Sequence, residues 1–144
     1  LRLFVDTTVI VAAVLAGHQD GERCRGCLLT VHRQQVEGFV AAHSLAEAYA
    51  TLTSIPARPR LRPSEVWRAL QQNVLRHFRV VRLETDEVVQ VLGDLALRDI
   101  AGGLVYDALI LRCAEKVEAR RIYTLNVRHF VRLRPDLADR ISEP

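Results

Sequence analysis

Leu1-Arg2-Leu3-Phe4-Val5-Asp6-Thr7-Thr8 is the stretch on which the reading of this chain turns. Its first five residues are apolar but for Arg2 and read as a short buried strand. Asp6 stands just past the carboxyl end of that strand, where open α/β sheets place their ligands. Two accounts of Asp6 stand open here. In one, Asp6 or Thr7 only caps the helix that follows. In the other the carboxylate binds something, because a buried charge is costly unless it is paired or bound. What separates them is whether other residues converge on the same edge.

Outward from that strand, helical and extended segments alternate. Thr8 to Leu15 reads as a short apolar helix stopped by Gly17, and a second helix runs from about Asp20 to Gln35. Gly38 to Ala42 is a second buried strand, and His43-Ser44-Leu45-Ala46-Glu47 opens a helix through Leu52. Ser54 to Pro63 is a loop broken by Pro56, Pro59 and Pro63, and it carries Arg58, Arg60 and Arg62. Ser64 is read as the cap of a helix on which Val66, Trp67, Leu70, Val74 and Phe78 recur at helical spacing. Arg79 to Leu83 is a third strand, and Thr85-Asp86-Glu87 starts a helix to about Arg98. After Gly102-Gly103, Leu104 to Ala119 forms an apolar helix, Arg121 to Thr124 a fourth strand, and Arg140 to Ser142 a last edge strand. The alternation predicts an α/β fold: one domain over 1–144, with a central parallel sheet of four to five strands flanked by helices on both faces. Asp6, His43, Glu84 and Asn126 each follow a strand, so all are expected at or near the carboxyl edge.

Composition sets the bounds. With 144 residues, 49% of them hydrophobic, the chain is able to build a core and is not a disordered polymer. No apolar run approaches the ~20 residues of a membrane helix. The chain opens on a strand, so a signal peptide is not expected. Net charge is +3, too mild to establish a nucleic-acid partner. Lys116 is the only lysine; every other basic residue is Arg, whose planar fork suits phosphate. Cys24, Cys27 and Cys113 make an odd set with no disulfide framework, which points to a reduced, cytoplasmic setting and buried thiols.

Two further acids join Asp6. Ser44-Leu45-Ala46-Glu47 fits a capping box, with Glu47 bonding back to the Ser44 N–H. Equally, Glu47 lies one turn into a helix that follows a strand and points back to the sheet edge. Asp107 is the sole acid among Val105, Tyr106, Ala108, Leu109, Ile110 and Leu111. A carboxylate in such a setting, if buried, costs several kcal/mol by rough estimate unless paired or bound to metal. Asn126, just past the fourth strand, makes an Asx-turn or serves as a neutral ligand. Oxygen-only ligands from three separated segments select hard cations such as Mg²⁺ or Mn²⁺, which activate water and stabilise displacement at phosphorus.

These segments carry a resemblance. Phe4-Val-Asp-Thr-Thr-Val-Ile10, His43-Ser-Leu-Ala-Glu47, Gly102-Gly-Leu-Val-Tyr-Asp-Ala-Leu109 and Tyr123-Thr-Leu-Asn-Val-Arg-His-Phe130 together resemble the PIN domain, and more narrowly the VapC-type toxins of bacterial toxin–antitoxin pairs. The resemblance spans nearly the whole chain. It implies an Mg²⁺- or Mn²⁺-dependent endoribonuclease that leaves a 5′-phosphate and a 3′-hydroxyl, an antitoxin partner and a homodimer. The family's three acids match Asp6, Glu47 and Asp107. Its fourth falls on the neutral Asn126, with His129 where some relatives carry another acid, and Thr8 stands where Asn or Ser is usual. In this reading Asp6 and Asp107 bind an ion directly, Glu47 holds its water or serves as base, and Asn126 positions a water or a weaker second ion. Arg58, Arg60, Arg62, Arg128 and Arg132 are candidates to carry the RNA, while Trp67, Leu70 and Val74 offer apolar surface for a partner. The competing reading, prompted by Asn126, is a non-catalytic PIN-like module that binds RNA or protein. A phospho-accepting receiver domain is a poor fit, since Thr7 follows Asp6 and Lys116 lies within a helix.

Overall fold

The computed structural model describes residues 1–56 and 60–144. Five strands among these residues form one wholly parallel sheet: β1 (Arg2–Val5), β2 (Glu37–Ala41), β3 (Arg79–Val81), β4 (Arg121–Tyr123) and β5 (Ile141–Ser142), in the order β3-β2-β1-β4-β5. Among the described residues seven α-helices cover it: α1 (Thr7–Val14), α2 (Gly21–His32), α3 (Ala42–Ser54), α4 (Pro63–Leu70), α5 (Thr85–Leu97), α6 (Leu104–Lys116) and α7 (Val127–Leu133). A π-helical turn, Gln71–Leu75, extends α4, and a 3₁₀ segment, Pro135–Arg140, leads into β5. The single parallel sheet with helices on both faces is the architecture expected from the sequence. No helix among the described residues is long and apolar enough to cross a membrane.

The period of two within each strand sorts side chains between two cores. Leu3, Val5 and Val40 pack with α1, α2, α3 and α4, whereas Phe4, Phe39, Ala41 and Ile122 pack with α5, α6 and α7. Burial on both faces explains why the strands read as continuous apolar runs. Cys24 and Cys27 sit in the first core and Cys113 in the second; all three are free thiols, and burial pushes Cys27 up to about 12 and Cys113 to about 11.

One close approach fixes how α2 meets the sheet. A Cβ built on Gly38 would stand 2.5 Å from Val31 Cγ1 and 2.7 Å from Phe78 Cδ1. Both neighbours are core side chains. Gly38→Ala is therefore expected to destabilise the fold by roughly 1–3 kcal/mol through overpacking, read as a lower denaturation midpoint with an unchanged slope.

Several local expectations are corrected. Helix α2 ends at His32 rather than Gln35, because Gln34 adopts a left-handed φ of 57°. Ser64 is not a cap: Pro63 takes the first helical position of α4, and the Arg62 N–H donates to Glu65 Oε2 at 3.2 Å. Proline suits that position because its missing N–H would have had no helical acceptor. Strand β3 stops at Val81, and Glu84 is exposed at the start of α5, its N–H donating to Glu87 Oε1. Leu70 and Val74 are fully core residues, which leaves Trp67, at 49% exposure, as the only one of the three on the surface.

Candidate active site

Strand order creates the site. From β1 the chain steps outward to β2 and β3, then crosses to β4 on the other side. The carboxyl ends of β1 and β4 thus flank a topological switch point, where open sheets form a ligand crevice. Asp6 ends β1 there, with its backbone N–H donating to Tyr123 O at 2.9 Å.

Asp6 is 2% exposed, and its carboxylate is held by three donors. The Thr7 N–H donates to Oδ1 at 2.6 Å; the Thr8 and Thr124 hydroxyls donate to Oδ2, each at 2.8 Å. The hydroxyls are themselves fixed: the Leu125 N–H donates to Thr8 Oγ1 and the Asn126 N–H to Thr124 Oγ1, both at 3.0 Å. Asp6 does cap α1, as the first account held. The cap uses one oxygen; the other is clamped by hydroxyls from both sides of the crevice. Burial raises the Asp6 carboxyl above the ordinary range, and these bonds oppose the rise.

Thr124 is therefore central. Thr124→Val keeps the shape but leaves the Asn126 N–H without its partner and Asp6 Oδ2 with the Thr8 hydroxyl alone. A loss of roughly 1–3 kcal/mol in unfolding free energy is expected, measured by chemical denaturation.

Glu47 lies on α3, which begins at Ala42, so Ser44 is already inside the first turn. The capping box does not form; Ser44 is fully buried. Freed from that role, Glu47 faces the crevice. Its carboxyl is raised by burial, then by the charges of Asp6 and Asp107. The Thr7 hydroxyl offsets part of that rise, yet Thr7 Oγ1 and Glu47 Oε1 both lack a hydrogen-bond partner of good geometry among the described residues. Buried polar atoms are seldom left so.

Asp107 occupies the first turn of α6, its side chain 18% exposed. Burial, and then the Asp6 charge, raise it from 3.8 to about 6, while His129 opposes the rise. The three acids are thus near enough to repel one another. Among the described residues, however, no three His, Cys, Asp or Glu side chains close around one point tightly enough to hold an ion by themselves.

Two imidazoles flank the acids. His43 Nε2 lies 3.3 Å from Tyr106 O and 3.6 Å from Glu47 Oε1, and burial lowers its pKa. His129 Nδ1 lies 3.8 Å from Asp107 Oδ2. Asn126 is the N-cap residue of α7 without a side-chain cap bond, so the Asx-turn is absent; its backbone N–H donates to Thr124 Oγ1 and its carbonyl accepts from the Phe130 N–H. Sequence reasoning puts His43 at this edge and aligns His129 with a position where some relatives carry another acid, but it gives neither a role, and it does not identify the threonine clamp. The adjacency of Thr124 to the end of a strand is the one available signal for the clamp.

The basic candidates divide. Arg128 and Arg132 are exposed, one turn apart on α7, the helix that carries His129. Arg60 and Arg62 are exposed at the approach to α4, and Arg58 lies outside the described residues. None of Arg60, Arg62, Arg128 and Arg132 forms an ion pair among the described residues.

Comparison with known proteins places this architecture. The family model for the PIN domain matches residues 3–134. Ribonuclease VapC27 of Mycobacterium tuberculosis is 30% identical over 117 residues, which cover 81% of this chain and 80% of that protein. Among solved structures, VapBC2 from Rickettsia felis, bound to a DNA fragment from its promoter, aligns with a TM-score of 0.69 at 15% identity, covering 100% of this chain and 99% of that one. Mycobacterium tuberculosis VapC20, described as a sarcin-ricin loop cleaving toxin, aligns at 0.68 with 19% identity over 86% of this chain and 89% of its own. FitAcB from Neisseria gonorrhoeae aligns at 0.63 with 16% identity, covering 89% of this chain and 90% of that chain.

Proposed function

The chain belongs to the PIN-domain family, and on that premise we propose that it is the toxin of a toxin–antitoxin pair, a divalent-metal-dependent endoribonuclease acting at Asp6, Glu47 and Asp107. One observation carries the reading: a carboxylate buried to 2% exposure is clamped at the switch point, and beside it are a Glu47 oxygen with no hydrogen-bond partner among the described residues and an Asp107 carboxyl raised by burial and the Asp6 charge. Three mutually repelling carboxyls make a poor structural device and a good cation site. The likeness of the chain to VapC27, a protein named as a ribonuclease, gives the reaction class.

The residues suit a hard cation. All the acidic donors are oxygens, and Mg²⁺ commonly takes only one or two carboxylates while keeping several waters. An arrangement that does not close fully around an ion is compatible with that habit. Asp6 and Asp107 would hold Mg²⁺ or Mn²⁺, and Glu47 would stand beside them. The ion supplies polarisation of the scissile phosphate and a lowered pKa for the attacking water.

The chain's own contribution follows from the clamp. Thr8 and Thr124 fix one Asp6 oxygen, so that carboxylate is pre-oriented before any ligand arrives. Glu47 Oε1, without a hydrogen-bond partner among the described residues and on a carboxyl raised by burial and then by its acidic neighbours, would accept the proton of the attacking water. Asn126 contributes no charge, which favours one strongly held ion over two. Because the acids must be ionised to bind a cation, affinity falls on acidification through the range set by Asp107, about 6.

RNA brings negative charge to an acidic crevice, so cations at its rim must receive the backbone. Arg128 and Arg132 on α7 are the best placed of the candidates. In a cleavage-inactive background, Arg128→Ala with Arg132→Ala is expected to make RNA affinity less salt-sensitive, by about 0.7 in log–log slope for each phosphate no longer neutralised. Equilibrium binding between low and physiological salt reads this out.

A partner antitoxin and a homodimer belong to the same proposal. The exposed Trp67, beside the fully buried Leu70, gives one anchor of the kind such interfaces use. The competing reading, a non-catalytic module that binds RNA or protein, is favoured by one observation, the uncharged Asn126. Sequencing RNA ends after a brief pulse of expression, beside Asp6→Ala, separates the two. The enzyme reading expects discrete new ends with the unsubstituted protein alone. Identical end profiles for both proteins favour the binding module.

A further inference from the structure

The chemistry at the mouth of the crevice is not all oxygen. His129 Nδ1 lies 3.8 Å from Asp107 Oδ2, too far for a hydrogen bond. His129 is 59% exposed and its ring makes no hydrogen bond among the described residues. By contrast, His43 Nε2 is within 3.3 Å of the Tyr106 carbonyl, which occupies that nitrogen as a donor. Two imidazoles flank the acids, and only one has an uncommitted nitrogen facing a carboxylate.

We propose that His129 is a nitrogen ligand to the cation held by Asp107, and that it biases the site toward Mn²⁺ over Mg²⁺. The inference rests on the cation-site reading above. Adjacent donors in an octahedral shell with bonds of about 2.1 Å stand roughly 3 Å apart. The observed 3.8 Å closes to that value by a small rotation of a surface imidazole. His129, in the first turn of α7, follows the N-cap residue Asn126 by three positions. Where a neutral amide adds no charge, an imidazole restores donor strength without adding an anion. Imidazole nitrogen suits first-row transition cations, whereas Mg²⁺ keeps to oxygen.

The test is metal binding, not turnover. Mn²⁺ is titrated into the purified protein, and the bound ion is examined by pulsed electron paramagnetic resonance for ¹⁴N coupling. Coupling in the unsubstituted protein, lost in His129→Gln and retained in His43→Gln, is the expected result. His129→Gln should weaken Mn²⁺ binding by about tenfold or more, since even outer-sphere partners carry about 10- to 100-fold. Mg²⁺ affinity, measured by competition, should change less than about twofold. Bound Mn²⁺ without ¹⁴N coupling, or coupling that survives His129→Gln, overturns the inference and leaves the carboxylate site standing. Failure of the unsubstituted protein to bind Mn²⁺ or Mg²⁺ at all overturns both. Circular dichroism of each variant excludes loss of fold as the cause.

Discussion

Asp6→Asn should lower RNA cleavage by at least about a thousandfold, roughly 4 kcal/mol of barrier, with the fold intact. The amide matches the carboxylate in shape and can still accept from the Thr7 N–H and meet the Thr8 and Thr124 hydroxyls, which can rotate to suit it. What it removes is the charge. Since Asp6 is the most deeply placed of the acids and the only one held from both β1 and β4, no neighbour is positioned to replace it. Single-turnover cleavage of a defined RNA, beside circular dichroism and a denaturation curve, measures the effect. Loss of the fold in step with loss of activity would show that Asp6 is a structural cap and no more.

Asp107→Asn should act in opposite directions on activity and on stability. Asp107 is raised from 3.8 to about 6 by burial and by the Asp6 charge. A carboxyl whose folded value lies above its unfolded one contributes stability that is fully present below about 3.8 and lost as pH rises through about 6. At pH 7.5 the metal-free protein therefore carries the cost of an ionised Asp107, on the order of 2–3 kcal/mol. Replacing it with the neutral amide should raise the melting temperature of metal-free protein by several degrees while cleavage collapses. The gain should shrink as pH falls from 7 to 4, because both proteins are then neutral at this position. Glu87 and Asp136, whose carboxyls are lowered by Lys116 and Arg134, pull the whole protein's stability the other way in acid. The difference between variant and parent isolates Asp107 from them. Melting curves in chelator across that pH range test the sign, and an unchanged or lower melting temperature at pH 7.5 counts against it. The destabilising charge is then the signature of a group kept for function.

Much of the frame was legible because its signals are local. Strands β1, β2 and β4 are apolar runs, and the helices between them make a parallel sheet nearly obligatory. The boundaries that shifted did so through tertiary detail. Gln34 turns left-handed to end α2, and the Arg62 N–H finds Glu65, making Pro63 and not Ser64 the start of α4. At the site, the acids were readable because each is an isolated charge in an apolar or strand-end setting. The clamp was not: Thr124 and Asp6 are separated by 118 positions, and nothing in either segment specifies the other. Glu47 shows the limit from the other side. Its spacing from Ser44 fits a capping box, but β2 runs directly into α3 at Ala42, so the spacing no longer falls on the helix start.

The central claim is that this acidic crevice hydrolyses RNA only with a divalent cation in place. Purified protein incubated with a mixed RNA pool in excess chelator, followed by add-back of Mg²⁺ or Mn²⁺ at pH 7.5, tests it most directly. The account predicts intact RNA in chelator and, on add-back, discrete fragments with 5′-phosphate ends. Cleavage that continues in chelator, or RNA that stays intact with either ion, would contradict it.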